Sequence, residues 1–195
     1  MKKILIATTN KDKYQVVTYL LDKAGLSKNK YLYYSLDDIN YDGPDKKEQG
    51  SINDRAKEKA LVVKQYLPYN DFEYIVGIDD GIFIKGALQE NIKDYVGKIL
   101  YEDYLADGED YAFYRGYCII AKDGTMYETR TKTPYIYKSK EDAEYKEYSY
   151  PLSQVSVPVG NDVAVSELST EEGNEYAWNN SKDQLLELME KIKEK

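Results

Sequence analysis

Histidine is absent from the 195-residue sequence, and there is only one cysteine, Cys118. The absence of histidine excludes histidine general bases, histidine metal ligands and every Ser-His-Asp triad. A single cysteine excludes an internal disulfide and, without histidine, a zinc site of the usual type. Catalytic chemistry must therefore come from carboxylates, lysines, hydroxyls and a hard metal ion. The lone cysteine also suits a reducing compartment, so we expect a cytoplasmic protein.

Long apolar runs and an excess of positive charge are lacking as well. No run is long enough to cross a bilayer, and the apolar stretch after Met1-Lys2-Lys3 is too short for a signal peptide. The formal net charge is −8, with a mean hydropathy of −0.69. Because nucleic acids are bound by basic surfaces, we do not expect nucleic acid as a partner. Because the apolar runs are short, we do not expect a membrane as a partner either. The length predicts a single domain over residues 1–195.

The N-terminal segment has the pattern of a strand that leads directly into a helix. The apolar run Ile4–Ala7 predicts a buried strand, and the polar break at Thr8, Thr9 and Asn10 supplies a side chain that can cap a helix. A helix N-terminus presents backbone N–H groups and partial positive charge, which suits a phosphate. Lys13 lies about one turn further on. The alternative is an ordinary turn with solvated lysines, because the glycines of a phosphate loop are missing.

Strand and helix patterns alternate in the N-terminal half and are followed by a hairpin. Apolar residues at helical spacing predict helices over Lys11–Ala24, Ser51–Leu67, Asn91–Leu105 and Ser181–Lys195. Apolar runs predict strands over Tyr31–Leu36, Tyr74–Ile78, Ala112–Ala121, Met126–Thr133 and Val155–Val159. Ile82–Ile84 either continues the third strand or begins a hairpin, and Ser139–Glu147 is either a short helix or a loop. We predict an α/β fold with a central mixed β-sheet flanked by helices.

The acidic pair Asp79 and Asp80 follows an apolar strand and is a candidate metal site. Ligands of open α/β sheets gather at the carboxyl ends of strands, and the polar turn after the first strand lies at such an end too. Two carboxylates beside a phosphate site are what Mg²⁺ and a water-activating base require. Because Asp-Gly is also common in turns, an ordinary turn is the alternative.

Charged residues in and before the second predicted helix have an ordinary explanation. Arg55, Lys57 and Lys59 lie on a helix whose charges alternate in sign, which is typical of a solvated face. Glu48 precedes that helix in a polar segment and would ordinarily be an exposed loop acid. Taken alone, none of these residues indicates a site.

A series of motifs nevertheless resembles the inosine triphosphate pyrophosphatase family, the Ham1-like enzymes that clear non-canonical purine nucleotides. The segments in question are TTNKDK, EQG before DRAKEKA, IDDG, YCIIAKDG and SELSTEE, in that order. Thr8, Asn10 and Lys13 match the family's T-x-N-x-x-K, and Lys59 keeps the family's distance from Gly50. The family's acidic-D-[ST]-G segment aligns with residues 78–81, although its first acid is replaced by isoleucine.

The resemblance implies two lobes with a cleft between them, a homodimer, a Mg²⁺ cofactor and a nucleoside triphosphate substrate. The substrate would be cut between its α- and β-phosphates, giving a nucleoside monophosphate and pyrophosphate. The implied roles are phosphate binding by Thr8, Thr9, Asn10 and Lys13, charge neutralisation by Lys59, magnesium ligation by Glu48, Asp79 and Asp80, and activation of the attacking water by Asp79.

The base-reading side departs from the family, whose Ser-His-Arg triplet has no counterpart here. The corresponding region is Gly173–Asn180, with Trp178 or Asn179 at the triplet's position, and Tyr148 and Tyr150 remain of an aromatic segment. These four residues are candidates for base contact, although a tryptophan that packs the last helix onto the sheet is the alternative for Trp178. We expect a base preference unlike the family's choice of ITP and XTP. A silent nucleotide-binding protein and a hydrolase of another phosphorylated compound stay open.

Overall fold

The computed structural model describes residues 1–44, 49–67, 71–143 and 150–194 of the chain. Two of the predicted site residues, Glu48 and Tyr148, lie outside these ranges. No helix in the described ranges is long and apolar enough to cross a membrane.

Seven strands and four α-helices follow one another along the described chain, with three short 3₁₀ turns between them. The strands are β1 (Lys2–Ile6), β2 (Tyr31–Tyr34), β3 (Phe72–Ile84), β4 (Ala87–Gln89), β5 (Asp110–Ala121), β6 (Met126–Tyr137) and β7 (Ser156–Pro158). The helices are α1 (Lys11–Ala24), α2 (Ile52–Tyr66), α3 (Lys93–Tyr101) and α4 (Thr170–Lys193). The 3₁₀ turns are Asp37–Ile39, Pro151–Gln154 and Val165–Glu167.

The described strands form one mixed sheet in the order β2-β1-β3-β5-β6-β7, with β4 paired to β3. β1 is parallel to β2 and to β3, and the other pairs are antiparallel. The parallel pairs follow from the helical crossovers of the N-terminal half, since parallel neighbours cannot be joined by a hairpin. The predicted α/β fold with a mixed sheet flanked by helices is confirmed.

Strand β3 is longer than predicted. It continues past Ile78 without a break, and Ile82–Ile84 both extends it and pairs with β4. On one edge β3 pairs with β5 over residues 74–83. On the other edge it pairs with β1 as far as Val76 and with β4 from Ile82, so residues 77–81 have no described strand beside them. We call this stretch of β3 the sheet gap.

The hydrophobic core is divided at the sheet gap. Helices α1 and α4 pack on one face of β1 and the first half of β3, and α2 packs on the opposite face. A separate cluster joins α3 to the second half of β3 and to the far ends of β5 and β6. The molecule therefore has the two expected lobes, and the gap lies between them.

Helix boundaries were predicted well where the capping residues stand in the sequence. Asn10 caps α1, because its Oδ1 accepts a hydrogen bond from the Lys13 N–H at 2.9 Å. Gly25, with a φ of 127°, ends the same helix as predicted. Ser51 caps α2 through a reciprocal pair of hydrogen bonds with Asp54.

Helix α4 was predicted to begin near Ser181 and instead begins at Thr170. The Ser169 hydroxyl accepts from the Glu172 N–H, and the Glu172 carboxylate accepts from the Ser169 N–H, so a capping box starts the helix ahead of its apolar periodicity. Gly173–Asn180 is consequently helical.

Other boundaries differ by a few residues. Helix α3 is shorter than Asn91–Leu105, because Asp103 takes a left-handed φ of 48° just beyond it. Strand β6 continues past Thr133 to Tyr137. The described part of Ser139–Glu147 is a loop with a turn, and the remainder lies outside the described ranges.

Two glycines allow α2 to lie directly on the sheet. A Cβ atom on Gly77 would be 1.9 Å from the Ala56 carbonyl oxygen, and one on Gly116 would be 2.8 Å from the Ile52 carbonyl oxygen. Because helix backbone meets strand backbone, short distances separate the side chains of α2 from β3. This proximity brings Arg55 and Lys59 to Asp79.

We expect Gly77→Ala to lower the free energy of unfolding by about 3 kcal/mol or more, because the new methyl group overlaps the backbone of α2. The measurement is urea unfolding of both proteins. Gly97→Ala in α3 is the matched control, since nothing lies within 4 Å of its Cβ position; it should be neutral or raise stability by up to about 1 kcal/mol. Equal stabilities of the two variants would contradict the close packing of α2.

Candidate functional site

Three polar parts of the chain converge on the sheet gap. They are the turn before α1, the first two turns of α2 and the acidic pair of β3. Successive side chains of a strand point to opposite faces of the sheet. Asp79 accordingly faces α2, and Asp80 faces the side covered by α1 and α4.

Asp79 is buried and is paired with two cations of α2. Its Oδ2 lies 2.8 Å from Arg55 Nε and 3.2 Å from Lys59 Nζ. Arg55 and Lys59 are four residues apart and so share one face of the helix. Arg55 is nearly as buried as Asp79, so the predicted solvated face is wrong for this residue.

Asp80 is paired with two other cations, one from α1 and one from β5. Its Oδ2 lies 3.0 Å from Lys13 Nζ, and its Oδ1 accepts from Arg115 Nε at 2.6 Å. Burial alone would raise the pKa of Asp80, but the charges of Arg115 and Lys13 outweigh burial and hold this pKa well below its usual range. The carboxylate therefore stays ionised at any physiological pH.

The backbone of Asp80 is also satisfied by side chains. The Val76 carbonyl accepts from Ala7 on the β1 edge of β3, and alternation places the N–H and C=O of Asp80 on this same edge, inside the gap. The N–H donates to Asp79 Oδ1 at 2.7 Å, and the C=O accepts from Arg55 Nη2 at 3.1 Å. Arg55 also donates to the Glu90 carbonyl beyond β4. One arginine thus connects the acidic pair to both lobes.

The turn before α1 presents hydrogen-bond donors next to the gap. Thr8 Oγ1 accepts from the Asn10 N–H at 3.1 Å, and Asn10 Oδ1 caps the helix. Both oxygens accept hydrogen bonds within the turn. The Thr8 hydroxyl proton and the Asn10 Nδ2 group are the donors that these side chains can offer to an anion. Thr9 is exposed in the same turn.

A cavity of about 290 Å³ adjoins Asp80 on the α1 side of the sheet. Its floor is formed by β5 and β6, and α1, α4 and the segment around residues 150–169 form its walls. Tyr150 lines it, and the Tyr150 hydroxyl accepts from Arg115 Nη2, whose guanidinium lies 5.7 Å from the Tyr150 ring centre. Burial raises the pKa of Tyr150, so its phenol stays neutral.

Trp178 and Asn179 do not line this cavity. Both belong to α4: Asn179 is exposed, and Trp178 packs against the core, with Lys23 Nζ 5.8 Å from its ring centre. The geometry thus matches the alternative given for Trp178, in which the ring packs the last helix. Of the four predicted base contacts, the described structure places Tyr150 alone at the cavity.

Arg115 was missed by the sequence reasoning, and Arg55 was assigned to solvent. The signal for Arg55 was its spacing of four residues from Lys59. The signal for Arg115 was a charge within a long apolar strand, but its pairing with Asp80 depends on the register of β3 and β5, in which these two residues stand opposite each other.

The described residues do not fit a preformed magnesium site. Asp79 and Asp80 point to opposite faces and are each held by two cations, so they do not present adjacent oxygens to one ion. The described ranges contain no group of three or more candidate metal ligands. Glu48, the third predicted ligand, lies outside those ranges. Magnesium binding stays a prediction, and we derive no catalytic step through the ion.

The charges at the gap favour an anion. Each carboxylate is matched by two cations, which leaves one formal positive charge in each group although the whole chain is acidic. Exposed fractions separate the four cations: Lys13 and Lys59 are 21% and 24% exposed, whereas Arg55 and Arg115 are 4% and 15% exposed. The two lysines are the cations that an incoming anion can reach.

Comparisons of the sequence with known proteins found no match. No protein-family model matches the sequence. No curated protein matches it either.

Solved structures, in contrast, match almost the whole chain. A HAM1 protein from Coxiella burnetii is 13% identical at a TM-score of 0.64, over 100% of this chain and 99% of that one. The Ham1 protein of Staphylococcus aureus is 14% identical at a TM-score of 0.61, and the match covers 98% of this chain and 100% of that one. A nucleoside-triphosphatase from Mycobacterium abscessus, described as a dITP/XTP pyrophosphatase, is 18% identical at a TM-score of 0.54. The match covers 91% of this chain and 94% of that one. The chain has the Ham1 fold, so the fold implied by the sequence resemblance is confirmed.

We expect Asp80→Asn to lower the free energy of unfolding at pH 7 by about 3 kcal/mol, because Arg115 and Lys13 lose their counter-charge in a mostly buried position. The folded-state pKa of Asp80 lies below its unfolded value, so its stabilisation is complete above about pH 4 and is lost as the pH falls further. Urea unfolding of both proteins from pH 7 to pH 2.5 checks this. A stability difference that stays constant over this range would contradict the proposed ion pairs.

Proposed function

We propose that this protein is a nucleoside triphosphate pyrophosphohydrolase, which cuts its substrate between the α- and β-phosphates and releases pyrophosphate. The observation that carries the proposal is the convergence of Lys13, Lys59, Asp79 and Asp80 on one gap in the sheet, beside the donors of the α1 turn. The likeness to Ham1 structures, one of them described as a dITP/XTP pyrophosphatase, supports this reaction.

The phosphates would lie along the gap. Lys13 and Lys59 would leave their carboxylates in part and neutralise the charge that develops on the leaving pyrophosphate. Thr8, Thr9 and Asn10 would donate to phosphate oxygens at the start of α1, where the helix dipole favours negative charge. Arg55 would hold Asp79 in place during the reaction.

Asp79 is the proposed proton acceptor for the attacking water. Asp80 is less suited, because a carboxylate whose pKa lies well below its usual range takes up protons poorly. Asp80 instead balances Lys13 and Arg115. The cavity next to Asp80 would receive the nucleobase, with Tyr150 in its wall. A homodimer and a cytoplasmic location remain predictions from the sequence.

A second candidate is a nucleotide-binding protein without catalysis. One observation favours it: Asp79 Oδ2 is engaged by both Arg55 and Lys59, and Asp79 Oδ1 accepts from the Asp80 N–H. Both oxygens of Asp79 are therefore already engaged, and an attacking water would have to compete with these contacts.

Two measurements together separate the candidates. Pyrophosphate release is measured with ITP, XTP, GTP, ATP and pyrimidine triphosphates, each with Mg²⁺ and with EDTA, and nucleotide binding is measured by calorimetry. Release that needs Mg²⁺ would support both the hydrolase and the magnesium prediction. Binding without release would favour the silent protein, and the absence of both would point to another phosphorylated compound.

We expect Asp79→Asn to lower turnover by about 10²- to 10⁴-fold, because it removes the proton acceptor and keeps the shape of the side chain. Steady-state pyrophosphate release and thermal unfolding are measured on the same preparations. Asp183→Asn, an exposed acid of α4, is the matched control and should keep full activity. Near-normal turnover of folded Asp79→Asn would remove this residue from the reaction.

We expect Lys13→Ala and Lys59→Ala each to lower kcat/KM by roughly tenfold or more, because each variant loses a charge that contacts phosphate. Lys193→Ala, at the exposed end of α4, should be indistinguishable from the unmodified chain. Initial rates with the best triphosphate of the panel provide the comparison. If all three variants retain full kcat/KM, the two lysines serve the carboxylates alone.

A further inference from the structure

One polar group inside the cavity has no use in the proposed hydrolysis. Tyr117 is fully buried in β5 and lines the cavity; Arg115 and Thr131 lie beside its hydroxyl, which forms no hydrogen bond of ordinary geometry with the described residues. Buried hydroxyls are nearly always hydrogen-bonded in folded proteins. Burial also raises the pKa of Tyr117, so the phenol keeps its proton and can donate it. With Arg115 and Thr131 beside its oxygen, the Tyr117 hydroxyl has its proton left for an acceptor on a ligand.

A carboxylate lines the same cavity. Asp12, in the first turn of α1, accepts from the Tyr150 N–H at 3.2 Å through Oδ2 and forms no ion pair within the described ranges. A carboxylate is an acceptor with about four lone-pair sites. Asp12 thus has acceptor capacity left and favours a ligand that carries N–H donors.

The rest of the lining suits a flat aromatic ligand. The rings of Phe113 and Tyr135 lie in the floor together with the Thr131 hydroxyl, and the ring of Tyr150 lies in a wall. Among the described lining residues there is no lysine, and the arginine, Arg115, is held by Asp80 and Tyr150. At about 290 Å³ the cavity is close to the smallest ligand pockets, which suits a base more than a whole nucleotide.

We propose that Asp12 and Tyr117 select a guanine base. Guanine carries two adjacent N–H donors, at N1 and at the 2-amino group, next to the 6-keto oxygen. Asp12 accepts from the two donors, and the Tyr117 hydroxyl donates to the keto oxygen. This inference rests on the proposed function, since it places the base of the proposed substrate in this cavity.

Other purines satisfy these two side chains less well. Hypoxanthine has the N1 donor but lacks the 2-amino group. Xanthine places a second keto oxygen where Asp12 needs a donor, and adenine presents the N1 lone pair to the carboxylate. A site that is built for a hydrogen-bonding group discriminates strongly against analogues that lack it. The expected order of preference is guanine, then hypoxanthine, then xanthine and adenine.

Calorimetric titration with GMP, IMP, XMP and AMP tests the proposal, because it reads base preference whether or not triphosphates are hydrolysed. We expect the unmodified protein to bind GMP roughly tenfold or more tightly than IMP, as one hydrogen bond to a charged group corresponds to about a factor of ten or more. Asp12→Asn should bring GMP and IMP within about threefold of each other, since the amide keeps the bond to Tyr150 but loses an acceptor.

Tyr117→Phe should weaken GMP and IMP by a similar factor, since both carry the 6-keto oxygen, and should leave AMP unchanged. Thermal unfolding shows that the variants fold. Asp183→Asn and the exposed Tyr101→Phe are the matched controls and should keep the original preference. Equal affinity for GMP and XMP, or an unchanged preference in folded Asp12→Asn, would overturn the proposal.

The two proposals fail differently. If ITP and XTP are hydrolysed faster than GTP, the guanine proposal is wrong and the pyrophosphohydrolase stands. If no triphosphate releases pyrophosphate while GMP binds in the expected order, the guanine proposal stands and the hydrolase is wrong.

Discussion

The arrangement of the site depends on the interrupted pairing of β3. One edge of this strand is paired along almost its whole length with β5, while the other changes from β1 to β4 and leaves residues 77–81 without a described strand beside them. Buried backbone groups need partners. At Asp80 these partners are the side chains of Asp79 and Arg55. The acidic pair is thus fixed by the same hydrogen bonds that complete the backbone.

Close packing and charge depend on each other here. Helix α2 reaches Asp79 because Gly77 and Gly116 have no side chains that would hold it away. Two buried carboxylates at successive positions of a strand would be costly without compensating charge, and the cations of α1, α2 and β5 supply it. Arg55 and Arg115 are enclosed, whereas the two lysines are partly open to solvent. The site therefore combines two enclosed arginines with two lysines that solvent can reach.

Local signals allowed much of the fold to be predicted from the sequence. The cap Asn10, the stop Gly25 and the apolar spacing between them identify α1 from its own stretch of sequence. The start of α4 was misplaced, because the capping box at Ser169 precedes a polar first half that carries no apolar periodicity. Interactions between residues close in sequence can be predicted from the sequence in this way.

Contacts across the sheet were harder to predict. Lys13 was singled out for phosphate binding and Lys59 for charge neutralisation, but nothing local indicates that they meet Asp80 and Asp79. Arg115 lies opposite Asp80 only in one register of β3 and β5, and a shift of one residue would turn it to the other face. Register comes from the whole sheet, so a residue that depends on it is not recognisable from its neighbours in sequence.

The side chains that fill the sheet gap also protect the protein from its own copies. A row of unpaired N–H and C=O groups on a strand edge is a template on which a strand of another molecule can add. At the gap, the N–H and C=O of Asp80 are occupied by Asp79 and Arg55. A foreign strand would have to displace a buried arginine and its carboxylate in order to dock there. The side chains that complete the backbone of Asp80 thus close this part of the strand edge to a polypeptide.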